Sequence, residues 1–93
     1  MVIGFLVLDI HFPLSHSLKE KRKRLNRLKD RFKYRYNVAL AELDYQDKWQ
    51  RSKIGIVTIN AQKKVVECLF NRIIKEAEEN MDGEVLEHHV HFF

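Results

Sequence analysis

The order in which two hydrophobic periodicities follow each other constrains the fold of this chain more than any single residue. Four segments alternate apolar and polar side chains with a period of two, which is typical of half-buried strands. Two segments repeat apolar residues at helical spacing. The strands are predicted at 2–12, 38–43, 53–60 and 84–93, and the helices after Ser17 and Asn60, which gives the order βαββαβ.

This order predicts a ferredoxin-like α+β fold, because two right-handed crossovers joined by a hairpin close into one sheet. The sheet has four antiparallel strands in the order 4-1-3-2, with both helices on one face. Since 93 residues suffice for one small core, residues 1–93 are expected to form a single domain. The predicted core comprises Leu6, Leu8, Ile10, Leu25, Leu28, Phe32, Leu69, Ile73 and Val90.

Short polar signals mark the ends of the two helices. Ser17 and Glu20 are spaced as a capping box at the start of helix one, and Asn37 can end it in a left-handed conformation. Asn60 is predicted to cap helix two. The turn after helix two is expected at 81–83.

Composition limits the compartment and the cofactors. The sequence contains no run of eighteen apolar residues, which a membrane span would need. Its apolar start resembles a strand rather than a signal peptide. Cys68 is the only cysteine, so an internal disulfide is excluded and a cytoplasmic protein is expected. Cys68 itself is predicted to be a small buried hydrophobe on helix two.

The predicted topology brings two distant segments to one edge of the sheet. Strands one and two run in the same direction, so the start of helix one lies beside the turn between strands two and three. PLSHSLKEKR, residues 13–22, is therefore expected next to DYQDKWQR, residues 44–51.

These two segments carry a family resemblance. SHSLKEKR at 15–22 and NVALAELDYQDKWQR at 37–51 resemble signatures of the YlxP-like family, small bacterial proteins of unknown function. IGFLVLDIHFP and KIGIVTIN also fit, whereas the tail EHHVHFF matches less well. The resemblance implies a ferredoxin-like fold. The genes of this family often neighbour those for transcription elongation and translation initiation, so the resemblance also implies a function that involves RNA or the ribosome. It implies no catalytic residues.

Helix one is strongly basic. From Lys19 to Arg35, ten basic residues against two acidic ones leave a net charge of +8, whereas the whole chain carries +4. Five of the cations follow each other at i, i+4 and form one row with about 6 Å between levels. The row is either a solvated face or a phosphate-binding surface. The predicted nucleic-acid-binding residues are Lys19, Lys23, Arg27, Arg31 and Arg35, with Tyr34 as a stacking platform.

Lys21 and Arg22 interrupt the apolar stripe of helix one, so they need partners. We expect one of them to pair with Glu42, Asp44 or Asp47; the alternative is an anion pocket at the helix N-terminus. Tyr45 and Trp49 are either exposed contact anchors or a cover for the core. The predicted edge cluster comprises Ser15, Ser17, Lys21, Arg22, Asp44, Asp47, Trp49 and Arg51.

The histidines of strand four and the aromatics of the sheet suggest no strong site. His89, His91, His11 and Asp9 could share one face and are zinc-ligand types, but an alternating strand produces this spacing readily, so we expect no metal and no cofactor. His88 is expected to face inward. A hydrogen-bonded core histidine is expected at position 88 rather than a ligand. Strand three lacks the aromatics with which RRM domains read RNA.

The favoured function is a non-enzymatic RNA-binding or ribosome-associated factor that contacts phosphates through helix one. The alternative is a protein-interaction module, in which an acidic partner meets the basic row or a homodimer forms through the sheet, since strand three carries apolar residues on both faces (Val57 and Ile59 on one, Ile54 and Ile56 on the other). A weaker alternative is an enzyme on a phosphorylated substrate at the start of helix one. Acylphosphatases hold phosphate there in a glycine-rich loop, but HFPLSHS contains no glycine. No membrane partner is expected.

Overall fold

In a computed structural model, which describes residues 1–79 and 83–93, the elements follow the predicted order βαββαβ. No helix within these two ranges is both long enough and apolar enough to cross a membrane. The strands are β1 (Val2–His11), β2 (Ala39–Asp44), β3 (Arg51–Asn60) and β4 (Glu84–Phe92), and the helices are α1 (Leu18–Arg35) and α2 (Lys63–Glu79).

The sheet confirms the predicted ferredoxin-like arrangement. Its strand order is β2-β3-β1-β4, and all three pairings are antiparallel. β1 and β3 are the central strands, with β2 and β4 at the edges. Both helices pack on the face that carries Leu6 and Leu8 of β1, and the opposite face is uncovered.

One core joins the inner face of the sheet to both helices. Seven of the nine predicted core residues are buried, and Leu69 is partly buried against them. Val90 is the exception. It lies opposite Leu6 in the register and therefore shares its face, but it is 38% exposed. β4 is an edge strand, and the helical layer leaves its middle uncovered. The prediction of Val90 as a core residue is therefore wrong.

A β-bulge changes which residues of β4 face inward. Asp9 pairs with Glu87 but Ile10 pairs with Val85, so Leu86 is the extra residue. Val85 packs against the core, and Leu86 is 50% exposed. The alternation of the sequence places Leu86 on the same side as Val90 and Phe92, and this prediction is wrong for Leu86 because the bulge shifts the alternation by one residue.

His88 also departs from its expected environment. It pairs with Leu8 and so lies on the helix-covered face, as its parity predicted. However, it is exposed. The expectation of a hydrogen-bonded core histidine is wrong for the same reason as for Val90.

The start of α1 is a modified capping box. Ser17 Oγ accepts a hydrogen bond from the Glu20 amide at 3.1 Å, as predicted. Glu20 Oε2 accepts from the amide of His16 at 2.6 Å, one residue earlier than in the usual reciprocal bond. The pair satisfies two amides where the chain enters the helix.

The end of α1 differs from the prediction. Tyr36 closes the helix in an extended conformation (φ −131°), and its amide donates to the carbonyl of Phe32 at 2.9 Å. Within the described residues, the one non-glycine residue with positive φ is Tyr45, so the left-handed end predicted at Asn37 is wrong. Tyr36 packs against the core. Its extended backbone leads directly into β2, which leaves no need for a left-handed residue.

Helix α2 begins later than predicted. Asn60 Oδ1 accepts from the amide of Gln62 at 3.0 Å, so Asn60 forms an Asx turn before the helix rather than capping it. Cys68 is exposed, and its prediction as a buried residue is wrong. The buried stripe of α2 runs through Val66 and Phe70, and position 68 lies on the other side of the helix. Met81 and Asp82 of the predicted turn lie outside the described residues.

Gly4 allows α2 to approach the sheet closely. A Cβ at this position would clash with Val66 Cγ1 and would lie 2.7 Å from Phe70 Cε2, both on buried side chains of α2. By contrast, a Cβ at Gly55, on the uncovered face, would meet the exposed, rotatable end of Leu43 at 2.8 Å.

We expect Gly4→Ala to lower the free energy of unfolding by about 1–3 kcal/mol, because the helix must move away from the sheet. Gly55→Ala is the matched control and is expected to cost less, since Leu43 can rotate away. Urea denaturation followed by circular dichroism measures both. Equal losses would contradict the close packing of α2 on β1.

Candidate nucleic-acid interface and the adjoining sheet edge

The basic row, defined as Lys19, Lys23, Arg27, Arg31 and Arg35, divides into two parts. Each i, i+4 step rotates the side chain by about 40° around the helix axis. All five side chains are exposed. Over residues 1–79 and 83–93, the first three form no salt bridge. These three therefore present a free cationic strip along one side of α1.

The last two cations of the row turn towards α2. Arg31 Nε lies 3.8 Å from Glu76 Oε2, and Arg35 pairs with Glu76 Oε1. The Glu76 side chain is only 15% exposed. Burial raises the pKa of the neighbouring Tyr36 hydroxyl, and its hydrogen bond with Glu76 raises it further. Arg31 and Arg35 thus join the two helices and are less available to a phosphate than the other three.

Tyr34 stands apart from these pairs. Its side chain is 92% exposed, near the C-terminal end of α1. A free aromatic ring can stack on a base. The role of Tyr34 as a stacking platform stays a prediction.

Lys21 is the most constrained cation of α1. It is fully buried, and its Nζ lies 3.1 Å from Glu42 Oε2. It also donates to three carbonyls, of Tyr45 at 2.7 Å, Arg51 at 3.2 Å and Gln46 at 3.4 Å. The predicted pairing of a stripe cation with a carboxylate of β2 is confirmed. One ammonium group thereby holds the start of α1 to both ends of the β2–β3 loop, residues 45–50.

Glu42 also accepts a hydrogen bond from the buried Ser52 hydroxyl at 2.6 Å, in addition to its pair with Lys21. The other candidates for this pairing, Arg22, Asp44 and Asp47, have different environments. Arg22 is exposed. Asp44 accepts from the amide of Tyr45 at 2.7 Å, and Asp47 is exposed on the loop. Lys21 is therefore a structural residue, which favours the salt-bridge interpretation over an anion pocket at its ammonium.

The β2–β3 loop carries the two aromatics in different environments. Tyr45 has φ 65°, an uncommon conformation for a bulky residue, and is half-buried. The Arg51 guanidinium lies 4.3 Å from its ring centroid and Lys53 Nζ lies 5.7 Å from it. Trp49 is 57% exposed, so it is an exposed side chain and does not cover the core.

Arg51 also forms the ion pair at this end of the sheet. Its Nε and Nη2 donate to the two carboxylate oxygens of Asp9 at 3.0 and 2.8 Å. Asp9 is only 5% exposed. The hydrogen bonds from Arg51 hold the pKa of Asp9 below its usual value of 3.8, although burial opposes the shift. The bidentate geometry fixes Arg51 between Asp9 and Tyr45.

Gln50 is a structural residue of this edge that the sequence did not reveal. Its side-chain amide donates to the carbonyls of Pro13 at 3.3 Å and Ser15 at 3.0 Å. Its main-chain carbonyl accepts from the amide of Phe12 at 2.7 Å. The loop is thus tied to the segment between β1 and α1. Ser15 is fully buried there, whereas Ser17 serves as the helix cap. A glutamine in a polar turn carries no periodic signal that could have identified it.

Two of the histidines lie close to carboxylates. His11 Nδ1 is 3.8 Å from Glu84, and His89 Nε2 is 3.7 Å from Glu87. His89 and His91 pair with Val7 and Phe5, so they share the uncovered face with His11, as predicted. Over the described ranges 1–79 and 83–93, no three metal-ligating side chains converge.

Comparisons with known proteins find related sequences but assign no activity. The family model described as "Protein of unknown function (DUF503)" matches residues 3–90. The chain is also similar to the protein described as "Uncharacterized protein YlxP" of Bacillus subtilis (strain 168). The two are 34% identical over 73 residues, which cover 78% of this chain and 79% of that protein. The region that the family model matches includes both the basic helix and the β2–β3 loop.

Replacing Lys21 by methionine is expected to lower the free energy of unfolding by about 3–5 kcal/mol. The change removes one partner of a buried ion pair, together with the ammonium that donates to three loop carbonyls. Lys33→Met, on the exposed side of the same helix, is the control and should change stability by less than about 0.5 kcal/mol. Urea denaturation measures both variants. A Lys21→Met protein as stable as the control would contradict the structural role.

The Asp9–Arg51 pair predicts a defined pH dependence. Since folding lowers the pKa of Asp9, the pair stabilises the fold above the unfolded value near 4, and this contribution is lost as the pH falls through the folded pKa. Asp9→Asn should therefore be less stable than the wild type at pH 7. The difference should shrink below about pH 4. Thermal melts at pH 7 and 3 test this, and an unchanged difference would refute it.

Proposed function

This chain belongs to the family of proteins of unknown function designated DUF503, and from that premise we propose that it is a non-enzymatic RNA-binding factor that associates with ribosomal or other structured RNA. Helix α1 contacts the phosphate backbone. The binding is weak and has little sequence preference, because phosphates carry no base identity.

The observation that carries this proposal is the free strip of Lys19, Lys23 and Arg27. The three side chains are exposed and form no salt bridge within the described residues. Like charges at i, i+4 repel each other by a few tenths of a kcal/mol per pair. Glu20 instead bonds the backbone at the helix cap, and Glu76 pairs with the far end of the row. A polyanion would relieve this repulsion.

The spacing of the strip allows its cations to contact separate phosphates. Successive cations are about 6 Å apart along the axis of α1, and each has a long side chain. Each contact releases counterions, so the affinity depends on salt with a slope of about −0.7 to −0.9 per phosphate. Arg31 and Arg35 contribute less to phosphate binding than the sequence suggested, because Glu76 already offsets part of their charge.

A protein-interaction module is the second candidate function, and the uncovered sheet face supports it. This face carries apolar side chains of the two central strands and of β2. Val57 is 38% exposed, Leu43 46% and Ile59 54%. Contiguous apolar surface is often an interaction site. A second copy of the chain, docked face to face, would cover it.

We expect the double variant Lys23→Gln, Arg27→Gln to bind RNA more weakly across all sequences and to flatten the salt slope by about one to two units. For wild type, three contacts lower the affinity by about a hundredfold for a tenfold rise in salt. The measurement is a filter-binding titration at several salt concentrations. Lys64→Gln, Arg72→Gln on α2 is the control, because it removes the same charge from the other helix.

Two outcomes would contradict the assignment to α1. One is a control variant that weakens binding as much as the α1 variant, which would indicate a response to net charge alone. The other is salt-independent binding. If neither ribosomes nor bulk RNA bind at low salt, the second candidate function replaces the first.

A further inference from the structure

We propose that the groove beside Trp49 binds a nucleotide unit, with the base stacked on the indole ring and the phosphate held by Lys48 and His16. The groove has a volume of about 610 Å³, within the range of small-ligand sites. This assignment builds on the proposed function, because the same chain of nucleotides would reach the groove along α1. The residues that line the groove are His11, His16, Tyr45, Lys48, Trp49, Gln50 and Arg51.

The walls of the groove are fixed before any ligand arrives. Lys21 holds the carbonyls of Tyr45 and Arg51, and Gln50 holds the carbonyls of Pro13 and Ser15. Both flanks of the β2–β3 loop are therefore anchored to neighbouring segments. A preformed groove loses little conformational entropy when a ligand binds.

Trp49 is the ring in the groove that is free to stack. Its side chain is 57% exposed, although it belongs to an anchored loop. Tyr45 is different, because its ring already lies against the Arg51 guanidinium at 4.3 Å. An exposed indole on a rigid loop favours a flat aromatic ligand, and bases stack on such rings with little dependence on their identity.

The polar side chains of the groove favour an anion next to that base. Lys48 and His16 are exposed, and both can donate hydrogen bonds. Arg51 is committed to Asp9 by two hydrogen bonds, and this carboxylate offsets its charge, so the anion contacts are assigned to Lys48 and His16. Among residues 1–79 and 83–93, the groove lining includes no carboxylate, and the nearest carboxylates bond its edges: Glu20 accepts from the His16 amide at 2.6 Å, and Glu84 lies 3.8 Å from His11. Stacking with an adjacent cation is the chemistry that recognises a nucleotide.

The position of the groove connects it to the basic strip. His16 lines the groove and is three residues before Lys19, where the strip begins. A single strand whose phosphates follow Lys19, Lys23 and Arg27 would therefore have its end beside Trp49. In this arrangement, α1 supplies phosphate contacts and the groove holds one unstacked base.

Trp49 is the only tryptophan of the chain, so its fluorescence reports on the groove directly. The experiment titrates the full chain with uridine and adenosine monophosphate, ribose 5-phosphate, polyglutamate and a single-stranded tetranucleotide, with free tryptophan amide correcting for absorption. We expect saturable quenching by both monophosphates and none by ribose 5-phosphate. Tighter binding of the tetranucleotide would identify RNA as the source of the ligand, and equal affinity would identify a free nucleotide.

Variants separate this inference from the proposed function. Trp49→Ala should weaken tetranucleotide binding about tenfold without changing its salt slope, and Trp49→Phe should retain most of the affinity. Phe93→Ala, which removes another exposed ring, is the control. Lys23→Gln, Arg27→Gln should change the salt slope and leave quenching by monophosphates intact.

Failure of either idea gives a distinct result. If monophosphates do not quench Trp49 and Trp49→Ala binds RNA normally while the α1 variant does not, the groove is not a nucleotide site and the function of α1 stands. Quenching by polyglutamate alone would overturn the nucleotide assignment and indicate an acidic protein ligand. Quenching by monophosphates with unaltered RNA binding by the α1 variant would support the groove and refute the strip.

Discussion

The buried ammonium of Lys21 is the interaction on which the candidate surfaces depend. Removing a charge of this size from water costs several kcal/mol, and the cost is offset only where the geometry satisfies its donors. Here one carboxylate and three carbonyls surround Nζ within 3.4 Å. These acceptors come from β2, from the β2–β3 loop and from the start of β3. A single side chain of α1 therefore positions both the helix and the loop at the same edge.

This contact explains why an exposed loop can keep an uncommon backbone conformation. Tyr45, with φ 65°, donates its amide to Asp44, and its carbonyl accepts from Lys21. Conformations of this kind cost energy and persist when the surroundings determine them strongly. The stacked Arg51 and its pair with Asp9 add a second restraint from the sheet. Trp49 is exposed on a loop that its neighbours hold in place.

The sequence predicted what depends on local periodicity or on charge within an apolar stripe. Element order and sheet topology follow from the alternation of the strands, and a lysine among Leu18, Leu25 and Leu28 required a buried partner. Features that depend on one extra residue or on distant packing could not be predicted. The bulge between Asp9 and Ile10 reverses the alternation of β4 near Leu86. The pairing of Arg31 and Arg35 with Glu76 requires knowledge of how α2 lies beside α1.

The basic strip of α1 and the apolar face of the sheet lie on opposite sides of the molecule, so binding at one does not exclude binding at the other. Helix α1 packs on one face of the sheet and points its free cations away from it, whereas Val57 and Ile59 stand on the other face. A second copy docked on that face would leave both basic strips accessible to solvent. Two linked strips would engage one RNA with a high effective concentration, provided that the RNA can span them. Weak phosphate contacts on a single helix would then suffice for stable association, since each strip needs to hold the RNA only while the other rebinds.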